Sequence, residues 1–246
     1  MSVRNPLTAV VTGASSGIGL AVSRAFLERG DRVVGNARSE ERLARAAETL
    51  GAGSRFVPVA GDIADPSTST RLFAAAEAAF GGADVLVNNA GIFLAKPIVD
   101  YSRADVDALL DTNLRGFVHA TQEAVRHMVA RGGGHIVNVT ASISLQPQAS
   151  VPASLPILIK GGIQQATKAL AVELAAQKIL VSAVAPGIID TPLYTPDMHA
   201  FLRTLQPAGR IGAAREVANA VLYLADATFT TGVVLPVDGG MSAGRH

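Results

Sequence analysis

Residues 12–19 read Thr-Gly-Ala-Ser-Ser-Gly-Ile-Gly and follow directly on an apolar run, Leu7 to Val11. A short buried strand leading into a glycine turn that opens a helix is suited to holding phosphate. Gly13 permits the tight turn, Gly17 lets the backbone approach a pyrophosphate with no Cβ in the way, and Gly19 lets the helix pack close to the strand. The free N–H groups at the helix start and the helix dipole both favour negative charge there. The spacing is G-x-x-x-G-x-G rather than the commoner G-x-G-x-x-G, and a glycine turn alone also fits a structural role. Two other residues stand out chemically. Lys160 is flanked by Ile159 and Gly161-Gly162, an apolar, tightly packed setting that calls for a buried partner. Asn113 stands in mid-helix, where asparagine is unfavourable unless its side chain has a local hydrogen-bonding role.

The elements that must position these residues follow from periodicity. Ile18, Val22, Phe26 and Arg29 fall at helical spacing, Gly30 ends that helix, and Arg32 to Asn36 reads as a second strand, completing a βαβ unit. Further strands are expected at Arg55–Val59, Val85–Asn88, His135–Val139, Leu180–Val184 and Val233–Val237. Helices are expected at Ser67–Phe80, from a capping box at Ser102–Asp105 to about Ala130, at about Pro156–Ala176 and at Glu216–Leu224. Seven strands with intervening helices predict an α/β fold with a doubly wound, mainly parallel sheet and helices on both faces. The chain reads as one domain over residues 1–246. Only the segment at about 187–212 looks irregular, and it is a candidate lid over a site.

Composition narrows the function classes. Hydrophobic residues make up 49% of 246, enough for a sizeable core, and the net charge is +1 without a basic run. That balance gives no footprint for nucleic acid. The absence of cysteine excludes disulfide and thiolate chemistry. No 18-residue apolar stretch suggests a membrane span, no metal-ligand cluster is apparent, and the first strand starts too early to leave room for a signal peptide, so a cytoplasmic protein is expected.

In these motifs the chain resembles the classical short-chain dehydrogenase/reductase family over essentially its whole length. The resemblance rests on Thr12 to Gly19 as a cofactor motif, Asp62 in Gly-Asp-Ile-Ala-Asp, Asn88-Asn89-Ala90-Gly91, Asn113 in Thr-Asn-Leu-Arg-Gly, Pro186-Gly187 with Thr191, Gly209-Arg-Ile-Gly212 and Val237-Asp-Gly-Gly240. It implies a Rossmann-type fold that binds a nicotinamide dinucleotide through Gly13, Ser15, Ser16, Gly17, Ile18 and Gly19. Asp62 and Ile63 would then lie at the adenine, Asn89, Ala90 and Gly91 near a ribose, and Pro186, Gly187, Ile189 and Thr191 at the nicotinamide. The end of the second strand, where an NAD-binding fold places an acid for the ribose 2′-hydroxyl, carries Ala37 and Arg38 instead. A guanidinium pairs well with a 2′-phosphate, so NADP(H) is expected over NAD(H).

The resemblance also implies a catalytic Tyr and Lys four residues apart on one helix, with a Ser that orients the carbonyl and an Asn that anchors a water. Lys160 matches that Lys and would bind the cofactor ribose, and Asn113 matches that Asn. Four residues before Lys160 stands Pro156, and no tyrosine occurs between residues 102 and 193. Proline has no titratable proton, although a first helical turn accommodates it. Without gaps the family's Ser falls on Ala141; Ser142 is the first choice, with Thr140 and Ser144 open. Substitute proton donors are water, Ser142, Ser154 or Tyr194, the last placed in the candidate lid, while Tyr101 and Tyr223 read as packing residues.

Three readings follow. The first is an NADP(H)-dependent oxidoreductase that moves hydride between nicotinamide and a small-molecule carbonyl or alcohol with a non-standard proton donor. The second is a catalytically silent NADP(H)-binding or regulatory protein, and the third is a different reaction on the same scaffold. Leu94, Ile143, Leu145, Val151, Ile188, Leu193 and Met198 are candidate linings of an apolar substrate pocket. By analogy a homo-oligomer is expected, a dimer or a tetramer with 222 symmetry, built on the helices from Ser102 and Pro156.

Overall fold

The computed structural model describes residues 5–244. Seven strands form one sheet: β1 (Thr8–Val11), β2 (Arg32–Ala37), β3 (Phe56–Ala60), β4 (Val85–Asn88), β5 (Gly134–Val139), β6 (Ile179–Pro186) and, near the end of the chain, Val234–Val237. Their order is β3-β2-β1-β4-β5-β6 with the last strand at the far edge, and every pairing is parallel. Neighbours β1 and β4 are joined by a chain that first builds β2 and β3 on the other side. The carboxyl ends of β1 and β4 therefore flank the crevice where such sheets bind ligands.

Helices cover both faces, so the central strands are apolar on both sides. Side chains alternate sides along a strand. In β1, Ala9 and Val11 pack with Val22 and Phe26 of α1 (Gly17–Glu28) and with Val217 and Val221 of the helix Ala214–Asp226. Val10 points the opposite way, into a core with Leu72 of the helix Pro66–Phe80, Met128 and Leu174. A further helix spans Glu40–Leu50, capped by the Ser39 hydroxyl, which accepts the Arg42 N–H at 3.2 Å.

The structure departs from the sequence reading in two places. The long helix expected from Ser102 to about Ala130 begins at the anticipated capping box but is interrupted. Arg103–Leu109 passes into a π-helical stretch, Leu110–Arg115, before Gly116–Arg131 resumes as α-helix. Within that stretch the buried Asn113 side chain bonds the backbone of a neighbouring loop; such π-insertions recur at functional sites. The segment at 187–212, which reads as irregular in the sequence, holds two short parallel strands, Ile189–Asp190 and Gly212–Ala213, and the helix His199–Arg203. Two-residue strands carry no periodicity to detect.

A buried polar chain ties the centre of the sheet to the helices over it. Asn88 Nδ2 donates to Thr121 Oγ1 and to Asn138 Oδ1, both at 3.0 Å, and Asn138 Nδ2 donates to Thr167 Oγ1 at 2.9 Å. Asn138 is the link between β4, β5 and the helix Ser154–Glu173. Asn138→Ala leaves a cavity and strips partners from two buried groups, which predicts a loss of about 2 kcal/mol in urea unfolding. A loss below about 0.5 kcal/mol would mean that the chain contributes no net stability.

Candidate functional site

The turn after β1 is fastened to the loop after β4 by one side chain. Thr12 Oγ1 accepts the N–H groups of Asn89 at 3.0 Å and of Ala90 at 2.9 Å, and donates to the Val87 carbonyl. Asn89 returns the contact, its Nδ2 donating to the Thr12 carbonyl at 2.8 Å. The glycines fit this closeness. Gly13 has φ +69°, and a Cβ there would meet Asn89 and Ala90; a Cβ on Gly19 would strike the Gly13 carbonyl and Asn89. Gly17, with φ +54°, faces Thr191 across the crevice. The first turn of α1 contains no acidic residue and its N-cap side chain makes no capping bond, so its N–H groups and positive dipole end stay available to an anion.

A cavity of about 750 Å³ opens along this crevice. Its walls include every residue expected at a cofactor except Gly19: the turn residues Gly13, Ser15, Ser16, Gly17 and Ile18, then Arg38, Asp62 and Ile63, Asn89 to Gly91, Lys160, Pro186, Gly187, Ile189 and Thr191. Gly19 lies behind the turn, where it allows the helix to approach. A cradle of glycines that a Cβ would fill, a free helix start and a cavity of ligand size fit the nicotinamide dinucleotide that the resemblance implies.

At one end of the cavity, Arg38 is exposed and projects beside the N-terminal turn of the helix Glu40–Leu50. Arg42, unanticipated in the sequence, lines the same end and donates to Ser16 Oγ at 3.3 Å. Its position three residues after the Ser39 cap turns it back toward the glycine turn, a signal that was present in the sequence. Asp62 holds a turn, its Oδ1 accepting the Ala64 N–H at 3.0 Å, and stands in the cavity wall as well.

Lys160 lies at the cavity floor. Its Nζ donates to the Val139 carbonyl at 2.9 Å, a Cβ on Gly91 would come within 3.4 Å of it, and desolvation alone lowers its pKa to about 8. Among the described residues it has no ion-pair partner. It also borders a second, far smaller void of about 10 Å³ with Thr12, Asn88 and Asn113. Asn113 does not reach the main cavity. Its Oδ1 accepts the Ile92 N–H at 2.8 Å and its Nδ2 donates to the Ile92 carbonyl at 2.9 Å, so the side chain clamps the loop after Gly91.

The serine alternatives separate by geometry. Thr140 Oγ1 donates to the Val184 carbonyl and accepts from Gln164, and Ser144 Oγ donates to the Ala141 carbonyl. Ser142 lines the cavity, and its buried hydroxyl faces Met241 Sδ at 3.5 Å. Tyr194 also lines it, half-buried, and burial raises its phenol pKa. Two expectations are corrected here. Ser154 is exposed in the first turn of its helix and is absent from the cavity wall. Leu94 and Leu145 are also absent from it: Leu94 packs against the core around Leu109, and Leu145 is exposed. Pro156 is buried at the third helical position, where the lack of an N–H leaves no hydrogen bond unmade.

Sequence reasoning missed two further residues. Gln206 clamps Ile188, its Oε1 accepting that N–H and its Nε2 donating to the Ile188 and Arg210 carbonyls, and so fastens the 187–212 segment. Met241 is delivered to the cavity by a turn in which both Asp238 oxygens accept backbone N–H groups. Nothing in residue spacing signals either role.

A family profile described as enoyl-(acyl carrier protein) reductase matches residues 13–242. The chain belongs to the short-chain dehydrogenase/reductase family. It is 41% identical over 245 residues to cis-4-hydroxycyclohexanecarboxylate dehydrogenase of Sinomonas cyclohexanicum, a match covering 96% of each chain. Among solved structures it is similar to a short-chain type dehydrogenase/reductase from Mycobacterium marinum, with a TM-score of 0.91, 33% identity, and 97% of this chain and 96% of that one covered. L-sorbose reductase from Gluconobacter frateurii, complexed with NADPH and L-sorbose, superposes with a TM-score of 0.90, 30% identity and 98% coverage of both chains. Similarity therefore extends from the glycine turn to the last strand. Among the described residues no helix is long and apolar enough to cross a membrane, and no group of His, Cys, Asp and Glu is placed to hold a metal ion.

The cradle yields one prediction. Gly19→Ala forces the turn away from α1, and NADPH affinity should drop at least about tenfold in fluorescence titration. Affinity within twofold of the original would show that the close approach is unnecessary.

Proposed function

We propose that this protein is an NADP(H)-dependent oxidoreductase that interconverts a small-molecule carbonyl and its alcohol, an atypical family member that works without the usual tyrosine. The observation that carries this reading is one continuous cavity joining an arginine-rich end, an intact phosphate cradle and an apolar chamber. When bound, the dinucleotide supplies or accepts the hydride. The chain's own residues hold and orient it. The turn N–H groups meet the pyrophosphate, Arg38 and Arg42 meet a 2′-phosphate, Asp62 and Ile63 lie at the adenine, Asn89 to Gly91 and Lys160 meet the riboses, and Pro186, Gly187, Ile189 and Thr191 back the nicotinamide.

The far chamber is walled by Phe93, Ile143, Val151, Ile188, Leu193 and Met198, with the Ser142 hydroxyl at its edge. It suits a substrate with an uncharged, apolar body. The 187–212 segment acts as a lid, hinged where Ile189–Asp190 pairs with Gly212–Ala213 and carrying Tyr194 inward. Residues 1–246 work as one unit in this reading, in the cytoplasm. A second reading, a cofactor-binding protein without turnover, is favoured by one observation: Pro156 occupies the position of the family's proton donor.

Support for the oligomeric expectation comes from apolar side chains left exposed on the two long helical regions, Leu114, Val118 and Val129 on one and Leu158 and Val172 on the other. A 222 tetramer would cover them. Light scattering at micromolar concentration should report about four times the 25.2 kDa chain mass, and a monomer would remove the assembly.

Cofactor preference is tested at Arg38. A charge-assisted contact to phosphate is worth about 1.5–3 kcal/mol, so Arg38→Asp should weaken NADPH binding by about 10- to 100-fold while leaving NADH binding unchanged or improved. Arg42→Ala should weaken NADPH alone, by less. An unaltered NADPH-to-NADH ratio in Arg38→Asp would overturn the assignment.

A further inference from the structure

With Pro156 in place, the reaction still needs a group that gives the substrate oxygen its proton. We infer that Lys160 is that group: its ammonium, at the floor of the cavity, protonates the carbonyl oxygen directly in reduction and takes the proton back in oxidation. The inference rests on the oxidoreductase reading above and deepens it.

Few groups in the cavity wall can give a proton. Arg38, Arg42 and Asp62 stand at the adenosine end. In the apolar chamber and at its floor the remaining candidates are Lys160, Tyr194 and the hydroxyls of Thr112, Thr140, Ser142, Ser150 and Thr191. Ser142 faces the Met241 thioether rather than a base, and Thr140 is spent on the Val184 carbonyl. Burial raises the Tyr194 pKa, which makes its phenol a poorer acid than a free tyrosine.

Lys160 differs on each count. Its Nζ uses one proton, toward Val139, and an ammonium has three to donate. The absence of a side chain at Gly91 leaves that Nζ open to the cavity beside it. The groups that face it are Thr12 of β1, Asn88 and Ala90 of β4 and its loop, Asn113 of the π-helical stretch, the Val139 carbonyl of β5, and Ile163 on its own helix. None of these titrates, so no carboxylate holds the proton on. The consequence is a pKa near 8, close to the value at which an acid is also readily recharged at neutral pH. The small void of about 10 Å³ that Lys160 borders with Thr12, Asn88 and Asn113 is of about the size for one water molecule.

The step balances. The carbonyl carbon accepts a hydride, for which the reduced dinucleotide of the proposed reaction is the donor. The π-electron pair moves to oxygen, oxygen bonds a proton as the N–H bond of Lys160 breaks, and the resulting neutral amine takes a proton from solvent. Oxidation runs the same bonds in reverse.

The test combines a titration with kinetics. The chain has four lysines, Lys96, Lys160, Lys168 and Lys178, so labelling lysine at 13Cε gives a resolvable NMR spectrum in which Lys160→Met assigns the signal. Without added nucleotide, the assigned Lys160 signal should titrate near 8. With NADPH and acetophenone as probe, kcat/KM for reduction should fall about tenfold per pH unit above that midpoint. Lys160→Arg keeps a cation for the ribose but holds no dissociable proton, so it should lose 10²- to 10⁴-fold in kcat, bind NADPH within about tenfold of the original and show no such break. Pro156→Tyr should move the break.

Titration of Lys160 above 10, or a Lys160→Arg protein that keeps more than a tenth of the rate, would overturn the inference and leave the oxidoreductase reading standing. NADPH binding with no turnover of any ketone or aldehyde would overturn both.

Discussion

The hydroxyl of Thr12 fixes the distance on which the rest of the site depends. By accepting two N–H groups from the loop after β4 and donating back to β4, it locks the carboxyl ends of two adjacent parallel strands at hydrogen-bond separation. At that separation Gly13 and Gly19 have no room for a Cβ, Asn89 can bond the turn, and α1 must begin where its first N–H groups face the crevice. The cradle is thus a packing consequence of one short loop-to-loop contact, and the glycines are the residues that this contact tolerates.

A second constraint acts at the floor. An ammonium withdrawn from water with one carbonyl as partner is unfavourable, and its lowered pKa records that cost. The resemblance read in the sequence implies a tyrosine at this helix position; the residue there is Pro156, which has apolar bulk and no titratable proton. The fold loses nothing by the exchange, because a proline in the first turn forfeits no hydrogen bond. In the proposed reaction the lysine, at the cavity floor, is then the group left with a proton to give.

Much of this was legible in the sequence. All seven strands of the main sheet were read with small errors at their ends, because buried parallel strands are apolar throughout and glycines mark the turns between them. The glycine turn and Lys160 were legible as residues of particular types at fixed places, and the structure brings both to one cavity. What escaped depended on contacts between distant segments. Asn113 in the π-helical stretch reaches Ile92, Gln206 fastens Ile188 in the 187–212 segment, and Met241 meets Ser142 across 99 residues of chain. Ser154 was misplaced for a similar reason: a sequence distance from Lys160 does not say which side of a helix start faces the cavity.

The proposed activity is hydride transfer to a carbonyl carbon without a tyrosine. The direct measurement is a single turnover of stoichiometric protein with [4,4-²H₂]NADPH and an aryl ketone, followed by mass spectrometry of the product. Hydride transfer should yield an alcohol carrying one deuterium at the carbinol carbon. Intact dinucleotide and unlabelled ketone after prolonged incubation, with the nucleotide bound, would contradict it.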